Sequence, residues 1–369
     1  PPRSTLFPYT TLFRSNTATH GGGARVAGII MNSIIENNST TNNAAGGVQL
    51  HYGAGLYNSI VRNNVSGGDM GGVRMTGTKP STMANCLVYG NEAAKTIGGV
   101  SVENGVHYLY NNTIVGNNQK ATNNPNRAGI RVNVNSDAII ANNIIWGNMA
   151  NSVVQASQVE FHASYESERA AKCFLNNAFV YSKEVGTNSI MLTDADPGFK
   201  DAANADFSLT YLSALLDKGD DSKAVGETDI AGKARIAGTK VDLGAYELPW
   251  YKMTVTLGEA TITVLGQNVP AGEMSVPEGF TCEATITANE GYEIVSVKVN
   301  DVEVTGTAGV YTLPAVTEDV VLVVETKQGT GTGIDELKSG SEVQKVLIDG
   351  KIMIRRDGKT YNVLGAEVR

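Results

Sequence analysis

The chain is short of cysteine, charge and long apolar runs, and each shortage closes off a class of protein. Cys86, Cys173 and Cys282 are its only thiols, and an odd, scattered set supplies neither a disulfide framework nor a metal-binding spacing. No apolar run approaches the ~18 residues of a membrane helix, so no transmembrane segment is expected. Charged residues are only 18% against 41% hydrophobic, which is too apolar for a disordered chain. The net charge of −8 is unevenly placed. Residues 16–156 hold eight Lys/Arg and five Asp/Glu; the acidity lies beyond them, which argues against nucleic acid as a partner of the whole chain. His20, His51, His107 and His162 lie at non-equivalent places without metal spacing or a triad companion, and each reads as a loop or surface residue. The Gly-Gly pairs lead into strands rather than helices, so no phosphate-cradling loop qualifies.

What the chain has instead is glycine, 41 residues of 369, and abundant asparagine before residue 150. Both belong to a repeat. Asn32-Ser-Ile-Ile-Glu-Asn-Asn38, Asn58-Ser-Ile-Val-Arg-Asn-Asn64, Asn85-Cys-Leu-Val-Tyr-Gly-Asn91, Asn112-Thr-Ile-Val-Gly-Asn-Asn118 and Asn142-Asn-Ile-Ile-Trp-Gly-Asn148 are versions of one heptad. Between them stand Gly46-Gly-Val-Gln-Leu50, Gly71-Gly-Val-Arg-Met75, Gly98-Gly-Val-Ser-Val102 and Ala128-Gly-Ile-Arg-Val132. A fixed period built from short alternating strands predicts an all-β chain led by a right-handed parallel β-helix. Equivalent residues should then stack as ladders about 4.8 Å per rung. Val48, Val73, Val100 and Ile130 form one inward ladder, and Ile35, Val61, Val88, Val115 and Ile145 another. Cys86 falls on an inward column of small residues. The closing residues Asn38, Asn64, Asn91, Asn118 and Asn148 suit a hydrogen-bonded amide ladder and a left-handed turn.

Strict alternation turns Ile34, Ile60, Leu87, Ile114 and Ile144 outward, an aliphatic stripe that calls for a covering loop or partner. One residue past the inward column, Glu36, Arg62, Tyr89, Gly116 and Trp146 should share an outer face. Tyr89 and Trp146, with Arg62 nearby, are candidates for stacking against an acidic sugar. Arg74 and Arg131 share another outward ladder with Ser101 between, two rungs or ~9.6 Å apart. These five residues, Arg62, Tyr89, Trp146, Arg74 and Arg131, are the candidate ligand-binding set, and no catalytic residue is assigned. The solenoid's carboxylates, Glu36, Asp69, Glu92, Glu103 and Asp137, fall at unrelated repeat positions and form no evident pair.

Further on, Asp194-Ala-Asp-Pro-Gly-Phe-Lys-Asp201, Ala205-Asp-Phe-Ser-Leu209, Ser213-Ala-Leu-Leu-Asp-Lys-Gly-Asp220 and Val241-Asp-Leu-Gly-Ala-Tyr-Glu247 occur in order. The succession resembles the choice-of-anchor Q segment of bacterial surface β-helix proteins, which implies a cap over the helix end. Calcium at Asp194, Asp196 or Asp217–Asp221 competes with an equally good reading of acidic turn residues, so no cofactor is assigned. Alternating text from Met253 to Lys327 predicts a small antiparallel sandwich of immunoglobulin-like type and is similar to bacterial extracellular repeat modules. The end, with Tyr361-Asn-Val-Leu-Gly-Ala-Glu-Val368, resembles a short type IX secretion sorting domain of Gram-negative bacteria. That implies the type IX machinery as a partner and an extracellular or outer-surface location. The first residues, Pro1 to Ser15, resemble a translated sequencing adapter and are expected to stay off the solenoid. The organisation read is 1–15 adapter-derived, 16–247 β-helix with its cap at 194–247, 252–327 sandwich, 328–334 linker and 335–369 sorting segment. Parallel β-helices of the pectin lyase-like kind often act on polysaccharides. The favoured reading is nonetheless a surface protein that binds a polysaccharide or other surface ligand. The alternative is a polysaccharide lyase or glycoside hydrolase whose active coils were truncated or are built from scattered, unrecognised residues.

Overall fold

The computed structural model describes residues 11–42, 44–121, 129–133, 136–155, 158–161, 174–179, 186–192, 196–329, 344–348, 351–356, 358–362 and 366–368. They form two compact units, the first holding nearly all residues up to Thr254 and the second most of those after it.

The first unit is a parallel β-helix with four strands per coil, two more than the repeat text suggests. Sheet A stacks the heptad strands Ser33–Glu36, Ile60–Arg62, Leu87–Tyr89, Thr113–Val115, Ile144–Trp146 and Ala178–Phe179. Sheet B stacks two-residue strands from Thr17–Ala18 to Met149–Ala150. Sheet C lies just after the Gly-Gly pairs, through Ala24–Val26, Val48–His51, Val73–Thr76, Val100–Glu103, Ile130–Val132 and Val159–Phe161. Sheet D, unrecognised in the sequence, holds Ile29–Met31, Gly55–Tyr57, Ser81–Ala84, Gly105–Tyr110, Ser136–Ala141 and Phe174–Leu175.

The heptad works because its corners need left-handed backbone. Position one has φ of 48° at Asn32, 44° at Asn58, 54° at Asn85, 51° at Asn111 and 61° at Asn142. Position six is also left-handed, as Asn37 and Asn63 and then Gly90, Gly116 and Gly147. Asn and Gly are the residues that adopt this region at least cost. The closing asparagine is not itself left-handed, contrary to expectation; it turns inward and builds the amide ladder. Asn64 shows the pattern. Its Oδ1 accepts from the backbone N–H of Asn38 at 3.0 Å and from Asn38 Nδ2 at 2.9 Å, while its Nδ2 donates to Ile35 O at 2.9 Å and Asn91 Oδ1 at 2.8 Å. All four hydrogen-bonding positions of the buried amide are filled.

The ladder continues from Asn91 to Asn117, Asn148 and Gln158, which corrects the reading of the fourth repeat by one residue. Its heptad runs Asn111 to Asn117, because Leu87 pairs with Thr113, Val88 with Ile114 and Tyr89 with Val115. The inward column is therefore Ile35, Val61, Val88, Ile114 and Ile145, all buried in the core with Cys86. Two adjacent asparagines at each end of that repeat (Asn111-Asn112 and Asn117-Asn118) made either register fit the text. Burial pushes the Cys86 thiol up to about 12, and Sγ donates to Ala84 O at 3.1 Å. His107 is also fully buried rather than at a surface. It accepts the Ser81 N–H at Nδ1 across 3.2 Å, and burial lowers its pKa, so it is neutral.

Thr11–Arg14 joins sheet A parallel to Ser33–Glu36, with Phe13 opposite Ile35 and packed on the core. The expectation that residues 1–15 stay off the solenoid is thus overturned for 11–15; residues 1–10 lie outside the described residues. An open strand edge accepts any extended alternating segment through backbone hydrogen bonds, so pairing needs no shared ancestry.

The segment read as an end cap is instead a strap along the flank of the coils. The position-one asparagines anchor it: Nδ2 of Asn58 donates to Asp229 O at 3.1 Å, Asn85 to Val225 O at 2.7 Å, Asn111 to Asp242 O at 3.2 Å, Asn142 to Asp220 O at 3.0 Å and Asn176 to Lys218 O at 3.1 Å. Phe199, Phe207, Leu209, Leu215, Ile230 and Leu243 cover the outward column of sheet A, where Leu87, Ile144 and Ala178 are buried. The aliphatic stripe found its covering loop within the chain. Acidic residues hold the strap's turns by accepting backbone N–H groups. Asp229 takes those of Ala231, Lys233 and Glu247, and Asp242 takes those of Asp217 and Leu248. Buried Arg235 donates from Nη2 to Glu247 Oε2 at 2.8 Å.

The second unit is antiparallel. Ala260–Val264 pairs with Gln267–Val269 and Cys282–Ala288, and Tyr292–Val299 with Val302–Glu303 and Val320–Gln328. Alternate residues Ile262, Ile286, Val297 and Leu322 are buried. The tail is a four-stranded meander of Gln344–Ile348, Lys351–Arg356, Lys359–Asn362 and Glu367–Val368, one step beyond the hairpin-like pair expected. No helix among the described residues is long and apolar enough to cross a membrane.

Candidate functional site

Sheets A, C and D each present an outer face, and the five sequence-derived candidates divide between two of them. Arg62, Tyr89 and Trp146 stand on sheet A in one column with Glu36, but Val115 rather than Gly116 lies between the two aromatic residues. No gap separates them. The strap packs on both rings: Tyr89 meets Phe207 edge-on at 5.4 Å between centroids and Trp146 meets Phe199 at 5.9 Å. Arg62 donates to Glu36 Oε2 from Nε at 2.7 Å and to the Tyr89 hydroxyl from Nη1 at 2.9 Å. The structure places this trio in a network with the strap and its neighbours.

Arg74 and Arg131 lie on sheet C, where the parallel register aligns Arg25, Gln49, Arg74, Ser101, Arg131 and Glu160 in one outward column. Three arginines therefore recur on alternate rungs, about 9.6 Å apart, with a neutral hydrogen-bonding residue between each pair. His51, Thr76 and Glu103 form a second column beside them. The fold supplies carboxylates that the text did not reveal. Glu103 Oε2 accepts from Arg74 Nε at 3.0 Å and Nη2 at 2.7 Å, and its Oε1 accepts from Ser101 Oγ at 2.9 Å. Arg131 Nε lies 3.3 Å from Glu160 Oε2. These contacts aim the guanidinium groups while leaving further N–H groups on each free to bond outward.

The near end of the column is less committed. Arg25 is exposed and has no carboxylate partner among the described residues. Its charge, after burial, holds the His51 pKa below the usual value, so His51 is neutral near pH 7. Gln49 is only 4% exposed, and its Oε1 lacks a hydrogen-bond partner among the described residues. Unsatisfied buried acceptors cost about 1–3 kcal/mol, so this amide is a polar group in want of a donor.

Chemically, the column presents donors, with carboxylates already engaged. Glu103 accepts three hydrogen bonds, two from Arg74 and one from Ser101, so both its oxygens are engaged. Among the described residues no group of three His, Cys, Asp or Glu side chains converges to hold a metal. Asp196, Asp217 and Asp221, considered for calcium, each accept a backbone N–H within the strap; Asp194 lies outside the described residues, as do His162 and Cys173.

Residues 9–164 match the family described as right handed β-helix region, which fixes the hand of the solenoid. No curated protein matches the chain.

Proposed function

We propose that this protein is a surface-exposed β-helix that binds a polysaccharide carrying acidic groups, without transforming it, along the arginine column of sheet C. The observation that carries the reading is the recurrence of Arg25, Arg74 and Arg131 on alternate rungs of one register-locked column. A repeating array of cations about 9.6 Å apart suits a ligand that itself repeats. Thr76, in the column beside Arg74, adds a partly exposed hydroxyl suited to the ligand's own hydroxyls. The described face carries three arginines against Glu103 and Glu160, a small positive excess that favours an anionic chain. Resemblance of the strap to choice-of-anchor Q segments and of the tail to type IX sorting domains supports export to the outer surface of a Gram-negative cell.

The test is affinity electrophoresis against acidic and neutral polysaccharides with the wild type and Arg74→Ala/Arg131→Ala. Retention by an acidic polymer that weakens with salt and falls about tenfold or more in the variant supports the reading. Equal retention of the variant would remove the column from the account.

A further inference from the structure

The outer face of sheet D has a composition unlike any other on the solenoid. Parallel register aligns Ile29, Gly55, Thr82, Tyr108 and Ile139 in one outward column and Met31, Tyr57, Ala84, Tyr110 and Ala141 in the next. None of these ten side chains is charged. The residues between them, Ile30, Leu56, Met83, Leu109 and Ile140, point into the core; Ala84 and Ala141 are fully buried, and the two longer strands extend one pair further, at Val106 and Asp137. Tyr108 and Tyr110 stand side by side with their rings 5.9 Å apart and only 13° from parallel. A Cβ placed on Gly55 would lie 2.3 Å from Tyr57 Cε2, so the Tyr57 ring lies over the glycine, which must be small to admit it. Tyr57 and Tyr110 are two rungs, about 9.6 Å, apart, with Ala84 as a low floor between them. The hydroxyls of Tyr57, Tyr108 and Tyr110 have no hydrogen-bond partner among the described residues, and all three side chains are partly exposed.

We infer that this face is a second binding surface, for an uncharged polysaccharide chain that stacks on Tyr57, Tyr108 and Tyr110. Flat rings offer the apolar contact that a sugar's C–H face seeks, and their free hydroxyls can exchange hydrogen bonds with its hydroxyls. Absence of charge across ten positions selects a neutral occupant, since an ionised ligand would lose hydration without gaining a partner. Repetition along the helix axis matches a polymer better than a single small molecule. The inference rests on the reading of the protein as a polysaccharide binder, but it uses different residues, a different sheet and a ligand of different charge.

Those differences let the experiment separate the two. The full-length chain is run through gels containing neutral glucans, xylans, mannans and galactans, in salt high enough to silence the arginine column. Wild type, Tyr108→Ala/Tyr110→Ala and Tyr108→Phe/Tyr110→Phe are compared, with circular dichroism confirming the fold. Retention by at least one neutral polymer, reduced about tenfold or more by alanine and within about threefold of wild type for phenylalanine, supports the platform. Should the alanine variant misfold, Thr82→Glu, which sets a charge in the middle of the face, is expected to abolish the same retention. No retention of wild type by any neutral polymer, or retention unaffected by the alanine and Thr82 variants, overturns the inference. So does a wild-type dimer in sedimentation that Ile29→Asp/Met31→Asp converts to monomer, because the face would then be occupied by a second copy. Loss of acidic-polymer binding in the Arg74/Arg131 variant is expected to leave neutral retention unchanged.

Discussion

Replacing Asn91 by alanine tests whether the amide ladder, rather than the apolar core alone, locks the coils in register. The Asn91 side chain is fully buried. Its Oδ1 accepts from the backbone N–H of Asn64 at 3.0 Å and Asn64 Nδ2 at 2.8 Å, and its Nδ2 donates to Val61 O at 2.9 Å and Asn117 Oδ1 at 2.9 Å. Alanine leaves two donors of Asn64 and the Val61 carbonyl without these partners, while Asn117 Oδ1 keeps the backbone N–H of residue 91. At about 1–3 kcal/mol for each of these three stranded buried groups, the loss is about 3–9 kcal/mol. With roughly 2–4 °C per kcal/mol in a unit of this size, the solenoid transition should fall by roughly 6–36 °C. Circular dichroism melts of wild type and variant read this directly. Asn63→Gly is the control: position 63 is left-handed, and Gly90, Gly116 and Gly147 fill the same place in later coils, so a change below about 0.5 kcal/mol is expected. A midpoint for Asn91→Ala within about 2 °C of wild type would refute the ladder argument.

The strap and tail give three further expected outcomes. Phe207→Ala removes a ring wedged between Tyr89 and Phe199, which should cost about 3–5 kcal/mol and make Trp146 more open to a fluorescence quencher; unaltered quenching counts against the packing. Burial, then the Asp242 charge, raises Glu247 to about 8, and burial, opposed by backbone N–H donors and joined by the Asp217 charge, raises Asp242 to about 6. Carboxylates whose folded pKa lies above the unfolded value stabilise the fold fully at low pH and lose that contribution as pH rises through the folded value. The strap should therefore melt earlier at pH 9 than at pH 5, and a melt rising over that window would contradict the assignment. Deleting residues 335–369 should leave the solenoid melt unchanged while blocking surface display, measured by protease shaving of cells; display without the tail would exclude it as the export address.

The solenoid was legible because its corners demand left-handed residues at fixed spacing, and only Asn and Gly serve there cheaply. Register was legible wherever the heptad had one reading, and failed at Asn111-Asn112, where doubled asparagines permit two. Sheet D stayed hidden for a related reason. Its strands vary from Ile29–Met31 to Gly105–Tyr110 and share no common letter pattern, so alternation alone marked them. Outward patterning exposed the aliphatic stripe as needing cover, but nothing local shows that Phe199 and Phe207, distant in sequence, supply it. Arg74 and Arg131 were found through their shared column. Their carboxylates were missed because Glu103 sits two residues off that column and Glu160 lies beyond the clear repeats.

The most direct test of the binding account tracks an acidic polysaccharide through contact with the protein, measuring capture and chain length in one sample. The expected result is salt-reversible capture that depends on Arg25, Arg74 and Arg131, with the polymer recovered at its original length and no new reducing ends or unsaturated product. Shortened chains that persist in the wild type and vanish in the Arg74→Ala/Arg131→Ala variant would contradict it, and would make the column a site of chemistry.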